Sequence, residues 1–318
     1  MNKILNLFVV LMVMLALTGC GASNTANTHE PTMKIGVVVK ALNSDYWKSV
    51  ELGAKAAGEK YGVNVTVLGP NAETDVTGQI SMIEDLITKK VNALVVAPSQ
   101  AASAIPVFNK AKENKIPVIL ADTDANWNDK ASFVGTGNYN GGKIAGEYLA
   151  KKLGGNAKII ILRGALGDPT HDERANGCIE ALKAAGLEVV AIQPANSERA
   201  MGVTVMENII QSKQSFDGIF ATNDEMALGA EQALKAAKSK APIVGFDGSM
   251  DALSSIKAGE LDASIAQSPY NIGFKGVETA IKAVKGESID KRIDTGTEVV
   301  NIDNIAQKLE ELRKILGK

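Results

Sequence analysis

Histidine, cysteine and aromatic residues are scarce in this chain, and each shortage removes a class of chemistry. Two histidines, His29 and His171, lie far apart with no spaced cysteine or carboxylate partners, so no dedicated metal site is expected. The same scarcity leaves no Ser/His/acid set, and neither G-x-S-x-G nor G-x-x-x-x-G-K-[ST] occurs. The nearest approach to a dinucleotide fingerprint, Gly135 to Asn140 (G-T-G-N-Y-N), misses its last glycine and the acidic residue that should follow, so no cofactor is expected. Charge of one sign is also missing: the net charge is −2 and Lys and Arg are scattered, which argues against a nucleic-acid partner. Only one long apolar run exists, Leu7 to Leu17, and it is too short to span a bilayer.

That run follows Lys3 and ends in Leu17-Thr18-Gly19-Cys20, the layout of a secretory signal over residues 1–19. The ending resembles the bacterial lipobox, which implies lipidation of Cys20 and an extracytoplasmic, membrane-anchored protein. Residues 20–32, small and polar up to Pro31, then read as a flexible tether, which holds a domain near the membrane without inserting it. With Cys20 lipidated, Cys178 stands alone in an apparent helix, and no intramolecular disulfide can form.

At 45% hydrophobic and 318 residues, the chain can bury a large core and is expected to divide into two domains. From Met33 onward, β-branched runs alternate with amphipathic stretches, an α/β pattern of parallel strands with helices on both faces. Strands are predicted near 33–39, 63–68, 92–97, 116–121 and 132–135, and again near 157–162, 187–192, 217–221, 242–246 and 262–266. Two such series predict two doubly wound lobes. Helices near 270–285 and 303–316 close the chain.

The first strand, with Ile35, Val37, Val38 and Val39, lacks the alternation of a half-exposed strand and reads as central. The turn after it carries Lys40, Asn43, Ser44, Tyr46 and Trp47. In a chain only 4% aromatic, adjacent rings at a strand's carboxyl end point to a ligand edge, or else to a cap over the core where the next helix packs. Other strand ends are polar as well: Pro98-Ser99-Gln100, Asp122-Thr123-Asp124, Arg163 to Arg174, Thr222 to Glu225, Asp247-Gly248 and Gln267. Asp122/Asp124 and Asp224/Glu225 could serve glycoside hydrolysis. Acids at helix starts are more often caps, and Asn223 or Asp224 suits that role. The mixture of Asp, Asn, Gln and Arg with Tyr and Trp suits a neutral polyhydroxylated ligand, because each hydroxyl donates and accepts while the C–H face of the ring packs on aromatics.

Taken together, V-V-V-K-A-L-N-S-D-Y-W, A-P-S at 97–99, N-G-G-K-I-A-G-E-Y-L, G-D-P-T-H-D-E-R-A-N-G, Q-P-A-N-S-E-R, A-T-N-D-E-M-A-L-G, V-G-F-D-G and I-A-Q-S-P resemble one family across nearly the whole mature chain. It is that of bacterial ABC-importer solute-binding proteins of the ribose/allose/galactose type, which share their fold with LacI-like effector domains. The resemblance implies periplasmic binding protein type I lobes, 33–137 plus 268–293 and 138–267 plus 294–318, joined by a three-segment hinge. It implies no enzymatic activity and no cofactor. Carried over by position, Asn43 or Ser44 with Tyr46 and Trp47 form the stacking wall, Lys40 resembles a lysine of allose-type members, and Asp122 binds ring hydroxyls. Arg174, Asn223, Asp247 and Gln267 act from the other lobe. Thr123 and Ser197 stand where ribose-type relatives have arginine and an aromatic, and Lys40 inclines the reading toward a hexose or polyol. The implied function is capture of a monosaccharide by a monomeric lipoprotein that hands it to a membrane ABC permease. A sensory protein for a sugar-like or autoinducer-2-like signal is the alternative.

Overall fold

The computed structural model describes residues 33–317; the signal, Cys20, His29 and the tether lie outside them. The polypeptide first lays down β1 (Lys34–Val38), α1 (Asp45–Tyr61), β2 (Asn64–Leu68), α2 (Val76–Thr88), β3 (Ala93–Val96), α3 (Ala101–Glu113), β4 (Val118–Ala121) and β5 (Ser132–Gly135). It then repeats the rhythm with α4 (Asn138–Leu153), β6 (Lys158–Arg163), α5 (Pro169–Ala184), β7 (Glu188–Pro194), α6 (Arg199–Gln211), β8 (Gly218–Ala221), α7 (Asp224–Ala236), β9 (Ile243–Asp247), α8 (Met250–Ala258) and β10 (Ala263–Ala266). The tail adds α9 (Pro269–Val284), β11 (Arg292–Asp294), β12 (Glu298–Asn301) and α10 (Ile305–Leu316).

Two six-stranded sheets result, in the orders β11-β5-β4-β3-β1-β2 and β12-β10-β9-β8-β6-β7. Leaving aside the tail strands, each sheet follows the same doubly wound order, and each reverses beside its first strand: between β1 and β3, and between β6 and β8. Crevices at the carboxyl ends of strands form at such reversals. The four central strands β3, β4, β8 and β10 are buried along their whole length, as continuous apolar runs predict for strands covered by helices on both faces. Separate apolar clusters fill the two faces of each sheet.

The architecture is the expected pair of α/β lobes with three passages between them, at 136–137, 267–268 and 295–297. Two elements escaped the sequence reading. Strands β11 and β12 are three and four residues long and only partly buried, too short for a periodic signal, and they exist by pairing to sheet edges. Strand β12 runs antiparallel to β10, so the second sheet is mixed at one edge. Helix α5 has a clearly marked start. Pro169 occupies its first turn, where a missing N–H costs nothing, and Asp168 Oδ1 accepts from Thr170 N at 2.9 Å. His171 is therefore helical and buried.

Candidate functional site

Helices α1, α5, α7 and α8 all start at the inner ends of the strands, and their capping side chains reach the space between the lobes. Ser44 caps α1, Asp168 caps α5, Asn223 caps α7 with Oδ1 accepting from Met226 N at 3.0 Å, and Ser249 caps α8. Unpaired N–H groups and the positive ends of the helix dipoles therefore point into the same cleft, which favours oxygen atoms there. These caps border a cleft lined by polar and aromatic side chains from both lobes. Lys40, Asn43, Ser44, Tyr46, Trp47, Asp122, Arg174, Asn223, Asp247 and Gln267, all singled out in the sequence, line it together.

On the first lobe, Tyr46 and Trp47 meet edge to face with ring centres 4.9 Å apart. Both ideas about this pair apply at once: the rings belong to the apolar cluster under α1 and also face the cleft. The Tyr46 hydroxyl donates to Asp122 Oδ1, while Thr123 Oγ1 donates to Asp122 Oδ2 at 3.0 Å. Trp47 Nε1 donates to Glu73 Oε1 at 2.8 Å. Asn43 is exposed at the mouth. Lys40 is buried, and its ammonium pairs with Asp168 of the opposite lobe and lies 3.5 Å from Asp122.

On the second lobe, Arg174 is fixed from three sides. Its Nε donates to Asn138 Oδ1 at 2.9 Å, its Nη1 donates to the Thr222 carbonyl at 2.8 Å and lies 3.4 Å from Asp247 Oδ1, and its guanidinium rests 3.9 Å from the Phe246 ring centre. Gln267 Nε2 donates to Asp247 Oδ1 at 2.7 Å, and Gln267 Oε1 accepts from Thr136 Oγ1 at 2.5 Å. His171 holds Ser197 Oγ at 2.9 Å on one ring nitrogen and Thr222 Oγ1 at 2.8 Å on the other. Ser197 therefore supplies a hydroxyl where an aromatic would have added a stacking face.

Two carboxylates sit on left-handed backbone: Asp122 at φ 60° and Asp247 at φ 122°. Such positions cost of order 1–3 kcal/mol for a residue with a Cβ and concentrate at ligand sites. Burial dominates the electrostatics. It pushes Asp247 well above the usual carboxylate range against the pull of Arg174, raises Asp224 to about 7, and raises Glu73 despite attraction to Lys40. Burial also lowers His171 to about 3, so its imidazole is neutral. For Lys40, burial pulls downward, but Asp168, Asp122 and Glu73 together more than offset it and keep the ammonium charged.

Seven lining residues were not among the ligand-binding candidates: Glu73, Thr170, His171, Ser197, Asp224, Glu225 and Ser249. Glu73 follows β2, so the same strand-end rule that found the others would have found it. Thr170 and His171 lie inside the polar stretch Arg163 to Arg174 already noted. Glu225 at the rim is paired to Arg199 at 2.9 Å. The lining sets carboxyl, amide and hydroxyl groups beside the Lys40 and Arg174 cations, and so offers paired donors and acceptors to a neutral ligand. Glu73, Asp168 and His171 place ligand-type atoms within 4.8 Å of one another, but Lys40 already supplies the cation that Asp168 holds.

Residues 35–288 match the periplasmic binding protein domain family. The chain is 36% identical to the ribose import binding protein RbsB of Haemophilus influenzae over 285 residues, 90% of this chain and 96% of that one. Among solved structures it resembles a carbohydrate-transporter solute-binding protein of Agrobacterium radiobacter in complex with D-arabinose: TM-score 0.84 and 33% identity, covering 89% and 99% of the two chains. An ABC-transporter periplasmic solute-binding protein of Actinobacillus succinogenes with bound D-allose superposes with a TM-score of 0.81 at 28% identity, covering 87% and 100%. These relatives are binding proteins rather than enzymes. The chain belongs to the periplasmic binding protein domain family, on its ribose/allose-type branch.

Proposed function

We propose that this protein is an extracytoplasmic lipoprotein, anchored through Cys20, that captures a neutral monosaccharide or related polyol and delivers it to a membrane ABC permease. The observation that carries the reading is the convergence of Tyr46, Trp47 and Asp122 from one lobe with Arg174, Asn223, Asp247 and Gln267 from the other on one cleft. The ring edges and faces suit the C–H side of a sugar, while the carboxyl, amide and guanidinium groups suit its hydroxyls. Contacts from the second lobe favour closure about the hinge, so binding and closure are one equilibrium. The sugars named for the relatives, ribose, D-arabinose and D-allose, set the first ligands to try.

Thermal unfolding of the protein beginning after Cys20, scanned against pentoses, hexoses, deoxy sugars, xylitol and inositols, tests this. A ligand at about 100 times its dissociation constant should add roughly 2.7 kcal/mol, or several degrees in Tm. Folded, ligand-free protein that shows no shift with any of these compounds would sink the carbohydrate reading.

A further inference from the structure

Among the described residues and away from the passages that connect the lobes, three side-chain bonds run from one lobe to the other, and all three reach a single short segment, residues 166–170. Gln100 Nε2, after β3, donates to the Leu166 carbonyl at 3.3 Å. Lys40, after β1, gives its ammonium to Asp168. Thr123, after β4, shares a hydrogen bond of 2.8 Å between its Oγ1 and that of Thr170. The Lys40–Asp168 pair is the buried one among the charged contacts of this seam, with the two side chains 3% and 2% exposed. All of these bonds are made by protein atoms alone, so they are available whether or not a solute occupies the cleft.

We propose that residues 166–170 form a latch between the lobes, and that Asp168 is a positioning residue that draws Lys40 across the cleft and sets the ligand-independent part of the open–closed equilibrium. Lys40 then works chiefly through Asp168 rather than as a free donor to solute. A buried ion pair of this kind gains little net energy over two hydrated ions, but losing one partner leaves a charge stranded in the closed state. The latch therefore acts as a check on register: closure is easy with both partners and strongly penalised with one. Asp122, 3.5 Å from the ammonium on Lys40's own lobe, and Glu73 and His171 complete the surroundings of the pair, so the carboxylate lost in Asp168→Asn is the one that reaches across the cleft. The neutral imidazole adds no competing charge, and Glu73 adds attraction for the ammonium.

The variants separate this role from simple structure. Asp168→Asn keeps an acceptor for Thr170 N, and asparagine is as good a cap as aspartate, so α5 retains its start while the charge is removed. Lys40→Met keeps the aliphatic stem and removes the ammonium. Spin labels on Lys48→Cys in α1 and Ala200→Cys in α6, both exposed, report the lobe-to-lobe distance, because the native Cys178 is fully buried and unreactive. Pulsed dipolar measurements on the protein beginning after Cys20, with no sugar added, should show a closed, short-distance population. Asp168→Asn should reduce that population at least threefold, and Asp168→Asn with Lys40→Met should restore at least half of it. An unchanged distance distribution in Asp168→Asn, or a double variant no more closed than the single one, overturns the latch. Since no sugar is used, these results stand apart from the thermal scan: the latch can fail while sugar binding holds, and the reverse.

Discussion

Asp247 concentrates the cost and the use of this site in one residue. Its backbone is strained, its carboxyl is buried, and both features are tolerated because Gln267 and Arg174 hold it. Asp247→Asn keeps the shape and one acceptor while removing the buried ionisable group. The ligand-free Tm should stay level or rise, while affinity for the sugar found in the thermal scan should fall tenfold or more, about 1.4 kcal/mol. Calorimetric titration beside unfolding curves checks both, and a parallel loss of stability and affinity would show a structural role instead. Two other residues should give opposite pH signatures. His171 titrates near 3 in the fold and near 6.5 unfolded, so the unfolded chain binds the extra proton between these values. Its contribution is complete above about pH 6.5 and is lost as pH falls toward 3. Asp224 is raised from 3.8 to about 7, so the folded chain keeps a proton that the unfolded chain releases. Its contribution is present below about pH 4 and is lost as pH rises toward 7. Tm measured across this range should show the first slope vanish in His171→Asn and the second in Asp224→Asn.

At the scale of elements, each lobe is held by a helix pair crossing on glycines. A Cβ on Gly142 of α4 would meet the Arg174 carbonyl of α5 at 2.0 Å, and one on Gly177 would meet the Tyr139 carbonyl at 2.0 Å. The same device joins α1 and α9 through Gly53 and Gly273. Close packing at the α4–α5 crossing places Arg174 and His171, so strain there should reach the site. Gly142→Ala should cost about 1–3 kcal/mol of stability and also weaken binding. Gly259→Ala, at the left-handed cap of α8 where a Cβ meets nothing, should cost about 1 kcal/mol and leave affinity alone. Equal affinity loss in the two variants, measured by titration, would refute the link. Most elements were legible because their signals are local: apolar runs for the strands, caps and periodicity for the helices. Strands β11 and β12 were not, because their reason for existing is the edge they pair with, far away in sequence.

For the whole molecule, three short passages are all that join the chain of one lobe to the other, so the proposed closure would turn on them. Thr136 and Gln267 join two of the three passages between lobes, and Gln267 also holds Asp247, so a cleft carboxyl and the passages share a side chain. Small-angle scattering should show the radius of gyration fall when a binding sugar is added; identical curves with and without it would exclude closure. Among the described residues no helix is long and apolar enough to cross a membrane.

From sequence alone, the α/β class, the two repeated series and the ten candidate side chains could be read, because strand ends in such sheets gather ligand groups and those residues are polar where the pattern predicts core. Only the tertiary structure decided what those groups do to each other. Lys40 and Asp168 are 128 residues apart in sequence, and nothing local shows that one ammonium would meet the other's carboxylate across the cleft. Likewise the strain at Asp247, the neutral state of His171 and the entry of Glu73 into the site follow from burial and from the docking of two lobes, properties of neighbours that no stretch of sequence carries by itself.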